Sequence, residues 1–144
     1  MKSKLLHDDE QKTWLLVFDP GDEVKSTLES FARAHVLSNS YFRAIGAFQR
    51  ATLAYWNWDS KQYEEIPIDE QVEVLGLNGD IALGADGSPK VHAHVTVGRF
   101  DGTTRGGHLM KGVVRPTLEL YLVESPGDVL RRKDETTGLE LMAL

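Results

Sequence analysis

The feature that most narrows the fold is an imbalance of periodicities. One stretch alone carries helical spacing. Between Glu23 and His35, the residues Val24, Leu28, Phe31 and Ala32 fall on one face, and Lys25, Glu29 and Arg33 lie elsewhere. Pro20 and Gly21 break the chain before it, and Asp22 is placed as its N-cap. The rest reads as extended chain joined by short turns. Residues 13–19 (TWLLVFD) form a compact apolar run, and 41–47 (YFRAIGA) end near a glycine that suits a bulge or a close approach. Residues 52–58 and 62–68 pair as a hairpin around Asp59–Lys61. Residues 72–83 are extended but interrupted at Gly76 and Gly79, 90–99 (KVHAHVTVGR) alternate, 101–107 make a Gly-rich loop, 117–124 alternate again, and 138–144 supply a last strand. One early helix followed by many closely spaced strands predicts an α+β domain with a predominantly antiparallel sheet. The connections are too short for the crossover helices of a parallel one.

The 144 residues fit a single domain with a real core. Residues 1–12 are a polar leader expected to fray, and 13–144 are the domain. The leader lacks the apolar centre of a signal peptide, and no run approaches the ~20 apolar residues of a membrane span. The reading is a cytoplasmic protein with no membrane role. There are no cysteines, so disulfides, thiolate metal sites and cysteine nucleophiles are excluded, and any transition metal must be held by imidazole and carboxylate.

That last point directs attention to the histidines. His92 and His94 are separated by one residue in an alternating strand, so both imidazoles project from the same face, within reach of one ion. His108 follows Gly106 and Gly107, which let the backbone come close to a site. Spacing alone leaves the His-x-His pair open between a chelating pair and polar surface. The third histidine beside two glycines favours chelation. Three neutral nitrogens and no thiolate leave a coordination position free, as in catalytic rather than closed structural zinc sites. A divalent metal is therefore expected on His92, His94 and His108, with zinc as the working identity, although imidazole also suits nickel, copper and iron. His7 in the polar leader and His35 at the helix C-terminus are read as structural or surface residues.

Glu73 and Glu119 are the weaker candidates. Both fall on predicted strands, and either could orient a ligand histidine or act as an acid or base beside the metal. Trp56 and Trp58 read as hydrophobic payload or an oligomer contact. Arg131, Arg132 and Lys133 are the best basic run, expected to face water. The net charge of −6 opposes binding of a polyanion by bulk electrostatics. There is no phosphate loop, dinucleotide fingerprint or nucleophile elbow.

Five segments in order resemble the PPC domain, named for plants and prokaryotes: Trp14 to Ala32, Ala44 to Trp56, Glu73 to Ile81, His92 to Val97, and Gly106 to Leu122. The resemblance implies an α+β domain assembled as a homotrimer, with a metal in some members at the positions of His92, His94 and His108. Plant members follow AT-hooks in DNA-binding proteins, and prokaryotic members stand alone, often labelled DNA-binding. This chain resembles the stand-alone kind without an AT-hook. The plant Arg-Phe-Glu-Ile-Leu stretch is matched by Gln71 to Leu75, which keeps Glu73 and Leu75 and lacks the arginine. The expected function is a trimeric metal-binding protein that accommodates a small-molecule ligand at the ion. The alternatives are a DNA-binding or transcription-associated regulator, and a metal-dependent hydrolase or lyase acting on a small molecule.

Overall fold

The alternation seen in the sequence builds a nine-stranded, almost wholly antiparallel sheet in the computed structural model, which describes residues 1–143. In chain order the elements are β1 (Lys2–Asp8), β2 (Lys12–Phe18), α1 (Val24–His35), β3 (Asn39–Asn57), β4 (Gln62–Ile68), β5 (Val72–Leu83), β6 (Pro89–Gly98), β7 (Thr104–Glu124), β8 (Leu130–Lys133) and β9 (Glu140–Ala143). With one helix, this is the expected α+β architecture. No helix among the described residues is long and apolar enough to cross a membrane.

Two long strands organise the sheet. β3 pairs with β7 along most of its length, and also with β5 and β4. β6 pairs with both β5 and β7. The pairings β3–β5–β6–β7–β3 thus run in a closed circuit, which leaves these four strands without an open edge along the circuit, while β1, β4 and β9 each pair on one side only. Strand alternation sends Phe48, Leu53, Leu77, Leu109, Leu118, Leu120 and Leu122 to the interior, where each is essentially fully buried. Helix α1 caps this core with Val24, Leu28, Phe31 and Ala32, the four residues marked by its periodicity.

The structure departs from the sequence reading in four places. The polar start is ordered as β1, which pairs antiparallel with β2 from Lys2↔Val17 to Asp8↔Lys12. Every residue of β1 is exposed, so it is held by backbone pairing and carries no burial pattern that could have announced it. Residues 41–47 and 52–58 are one strand, β3. Its direction persists through register shifts while its partners change. Gly46 lies at such a shift, with φ 152°, and a Cβ there would overlap the Thr117 carbonyl of β7, which is the close approach expected of it. Residues 104–107 belong to β7 rather than to a loop.

Finally, the helix is capped by Glu23 and not by Asp22. The Glu23 carboxylate accepts from the N–H of Ser26 at 2.9 Å and of Lys25 at 3.3 Å. The Asp22 carboxylate instead accepts from the Asp19 N–H at 2.9 Å. Glu23 also accepts from the Gly112 N–H at 3.3 Å, tying the helix start to β7. Burial alone would raise its pKa, but the donors from Ser26, Gly112 and Lys25 outweigh it and hold the carboxyl below its ordinary value near 4.5. A depressed folded pKa means that the stabilisation is complete above about pH 4.5 and is lost as pH falls through the folded value. Glu23→Gln is expected to cost about 1 kcal/mol at neutral pH and to flatten this acid limb. Urea unfolding of both proteins at pH 7 and pH 3.5 measures it. Equal losses on acidification would show that Glu23 carries none of the dependence.

Candidate metal centre

The site arises from the alternation of β6. Val91, Ala93, Val95 and Val97 point into the core, which leaves His92 and His94 on the opposite face. β7 runs antiparallel beside β6, and its register places His108 directly across from His94. On its other side β7 meets β3, with His108 opposite Ala54. Gly107 makes this crowding possible, because a Cβ there would lie 2.7 Å from the Ala54 carbonyl oxygen.

The three imidazoles therefore meet. Their ring centroids lie 5.0–5.3 Å from one another. One ligand nitrogen from each lies within 4.8 Å of the others. Zinc–imidazole bonds of about 2.0–2.1 Å require nitrogens roughly 3.4 Å apart at a tetrahedral angle. Rotating these side chains inward by about an ångström meets that demand, so the residues fit a divalent ion. The donor set fits as well, since it is imidazole with no competing thiolate.

Two neighbours orient the rings. Asp80 of β5 is the cross-strand partner of His92, as Asn78 is of His94. His92 Nδ1 donates to Asp80 Oδ2 at 3.2 Å, which leaves Nε2 free to ligate. Burial would raise the Asp80 pKa, but the hydrogen bonds from His92 and Arg131 and the charge of Arg131 hold it below the usual carboxylate value. It remains an ionised acceptor. Tyr63 of β4 lies against His108, with ring centroids 4.7 Å apart and its hydroxyl 3.5 Å from His108 Nδ1. The pKa of His108 is pushed down to about 4, first by burial and then by the positive charges of His92, Lys25, His94 and Arg131. Burial and the neighbouring His92 lower that of His94 in the same direction. At neutral pH these rings present lone pairs rather than protons, the form a metal requires.

The histidines form one wall of a cavity of about 760 Å³. Ala54, Trp56 and Tyr63 line another side. The third is the turn and strand from Gly138 to Leu141, together with Arg131. Trp56 is thus part of the cavity wall. Trp58, two residues on, is exposed and carries Lys61 Nζ 3.3 Å over its ring.

Glu73 and Glu119 are elsewhere. They line a second depression with Ile45, Gly46, Val74, Leu75 and Thr117, and neither borders the histidine cavity. Glu73 is seven residues from Asp80 along β5, about 23 Å of extended chain. Its place on an extended strand did not distinguish it from Asp80, which lies on the same strand. A usable signal was present nonetheless. The β5–β6 hairpin closes with Leu83 opposite Pro89, and counting three pairs back sets Asp80 opposite His92. Arg131 is the other departure. Arg132 and Lys133 face water as expected, but Arg131 is only 7% exposed.

His7 and His35 take no part. His7 is exposed on β1, and His35 packs on Phe31 and Trp14 with centroid distances of 4.2 and 5.7 Å.

The same fold recurs in solved proteins. A plant- and prokaryote-conserved (PPC) protein of Pyrococcus horikoshii superposes with a TM-score of 0.87 at 28% identity, covering 99% of this chain and 95% of that one. A metal-containing protein from Archaeoglobus fulgidus gives 0.86 at 28% identity, covering 100% and 99%. A candidate DNA-binding protein from Ralstonia eutropha gives 0.85 at 29% identity, covering 91% and 90%. Among curated proteins, the bifunctional protein GlmU of Synechococcus sp. strain JA-3-3Ab is 36% identical over 126 residues, 85% of this chain but 19% of that protein. The chain thus spans about a fifth of the length of that relative. The profile of the Plants and Prokaryotes Conserved (PCC) domain matches residues 7–126. On that match over most of its length, together with the shared fold, the chain belongs to the Plants and Prokaryotes Conserved domain family.

Proposed function

We propose that this protein is a cytoplasmic, homotrimeric metal-binding member of its family. It would hold a divalent cation, zinc, through His92, His94 and His108, and admit a small-molecule ligand to the adjoining cavity. The observation that carries this is the convergence of three imidazoles on one point from two strands. The metal-containing Archaeoglobus protein of the same fold adds to it.

Bound there, the ion would supply Lewis acidity to polarise an oxygen-bearing ligand. The chain's own residues do the rest. Asp80 fixes the His92 ring. Trp56 and Tyr63 give the cavity an aromatic wall against which an apolar ligand body can pack. A volume of about 760 Å³ suits a small molecule. Glu73 and Glu119, bordering the other depression, are not placed to act as acid or base at this ion, and no hydrolase or lyase step is assigned to them.

Support for a trimer lies on the outer face of β3, β5 and β7, where Tyr41, Ile45, Leu75 and Tyr121 are each at least half exposed. They share that face with Arg43 and Glu119, which stand opposite Tyr121 and Ile45, and large apolar side chains exposed together among polar ones mark an interaction surface. The depression bearing Glu73 and Glu119 opens on the same face. DNA association, the description carried by the Ralstonia protein, has less behind it in this chain. The net charge is −6, and Arg131 is withdrawn from the basic run into an ion pair.

The test is elemental analysis and sedimentation of protein purified without a histidine tag. One transition-metal ion per chain is expected, in a particle of three chains. Metal-free protein that takes up no zinc on dialysis would end the metal-binding reading.

A further inference from the structure

β8 and β9 form a small hairpin beyond the stretch matched by the family profile. It is joined to the sheet at one register pair, Leu83↔Leu130, with the Leu83 N–H donating to the Val129 carbonyl at 2.8 Å. Of the four residues of β8, only Arg131 is buried, and β9 buries none. The hairpin therefore contributes no apolar core of its own. What it sends inward is a guanidinium, which is costly to bury without partners.

The partners of that guanidinium define its use. Arg131 Nη2 donates to Asp80 Oδ1 at 2.5 Å, and Nη1 donates to the Glu140 carbonyl at 2.9 Å. The other oxygen of the same Asp80 accepts from His92 Nδ1. One carboxylate is thus gripped on one side by the hairpin and on the other by a ligand histidine. A second tie, Lys61 Nζ to the Thr136 carbonyl at 3.0 Å, fastens the hairpin's turn over the β3–β4 end of the cavity.

We infer that Arg131 is a positioning residue of the metal centre. From the C-terminal hairpin it locks Asp80, and through Asp80 it locks the His92 ring in the orientation that ligates. This rests on the metal-binding reading above and adds to it that the hairpin belongs to the site. The planar guanidinium is suited to this task because it holds two acceptors in a fixed relation, which a lysine ammonium cannot do. Without it, Asp80 is free to rotate away and His92 loses its preferred tautomer and direction.

Competition titration of the full chain against a chromophoric chelator, with Zn²⁺ as the metal, tests this in wild type, Arg131→Met, Asp80→Asn, the double variant and Arg131→Lys. Loss of an outer-shell partner lowers metal affinity about 10–100-fold. Asp80→Asn is expected within that range and Arg131→Met near its lower end. The double variant should bind no more weakly than Asp80→Asn, since Arg131 acts through that carboxylate. The visible absorption of the Co²⁺-loaded protein should shift in Arg131→Met, a change that a purely structural anchor would not produce. If Arg131→Met does not fold, Arg131→Lys carries the test, with an affinity several-fold below wild type expected. Wild-type affinity in whichever of these two variants is folded, or losses that multiply in the double variant, would overturn the proposal while leaving the metal centre intact. A wild-type protein that binds no Zn²⁺ would overturn both.

Discussion

Replacing His94 by alanine lowers the affinity for a divalent metal more than about 100-fold, beyond the range typical of an outer-shell partner, while the metal-free protein keeps its stability to within about 0.5 kcal/mol. Both halves follow from its position. His94 is the hinge of the triad, directly opposite His108 across the β6–β7 pairing and two residues from His92 on the same face. Without it the remaining two nitrogens come from non-opposed positions, its cross-strand neighbour on the other side is Asn78, and the nearby Asp80 carboxylate is already engaged by His92 and Arg131. The side chain is exposed, so its loss opens no cavity in the core. His35→Ala makes the opposite control. It removes a ring that is also exposed but lies against Phe31 and Trp14 outside the triad, so any loss is of stability, within about 1 kcal/mol, and metal affinity does not change. Zinc titration and urea unfolding of the two variants measure the pair. A His94→Ala protein that binds zinc as wild type does would remove the triad as the site.

Gly79→Ala destabilises the protein by about 3 kcal/mol, the upper end of the range for overpacking a tight interior. Gly79 lies on β5 between Asn78 and Asp80, opposite Ala93. A Cβ there would overlap the His92 carbonyl oxygen and the Phe42 ring. Phe42 is itself 2% exposed and has nowhere to go. Backbone and core side chain cannot both yield cheaply, so β5 and β6 must separate at the pair that carries Asp80 and His92. Metal affinity is expected to fall with stability in this variant. Gly76→Ala, on the same strand, is the comparison. There a Cβ meets only the Asn78 side-chain nitrogen at 3.9 Å, and the change should be within about 0.5 kcal/mol. Denaturant unfolding of the metal-free proteins decides the matter. Equal losses at the two positions would mean that the close packing of β5 on β6 is not what requires glycine at 79.

The elements differ in how far they could be read before folding. β6 was legible because one face is buried and the other is not, and that asymmetry is written residue by residue as Val91, His92, Ala93, His94, Val95. The bends of β5 at Gly76 and the contact at Gly46 were legible as glycines in strands, whose usual reason is a bulge or a close neighbour. Helix α1 announced its core face, but its cap did not separate from the adjacent acid, because Asp22 and Glu23 are both able to accept backbone N–H groups and only the turn geometry selects one. β1 gave no signal at all, being an edge strand with both faces wet. The break read between residues 47 and 52 was false, since a long strand that exchanges partners along its length keeps its direction while its burial pattern slips.

From its residues alone this chain determined an α+β fold built on one helix and antiparallel strands, and it placed His92 and His94 on a shared face, because alternation is a local property that each strand carries in its own spacing. Tertiary structure decided the rest of the site. The β6–β7 register set His108, already singled out beside its two glycines, across from His94, the β5–β6 hairpin register made Asp80 rather than Glu73 or Glu119 the carboxylate beside His92, and the pairing of β8 beside β5 drew Arg131 out of a basic run into the interior. Those choices depend on which backbones pair, and pairing is settled by burying the whole core at once rather than by any single segment.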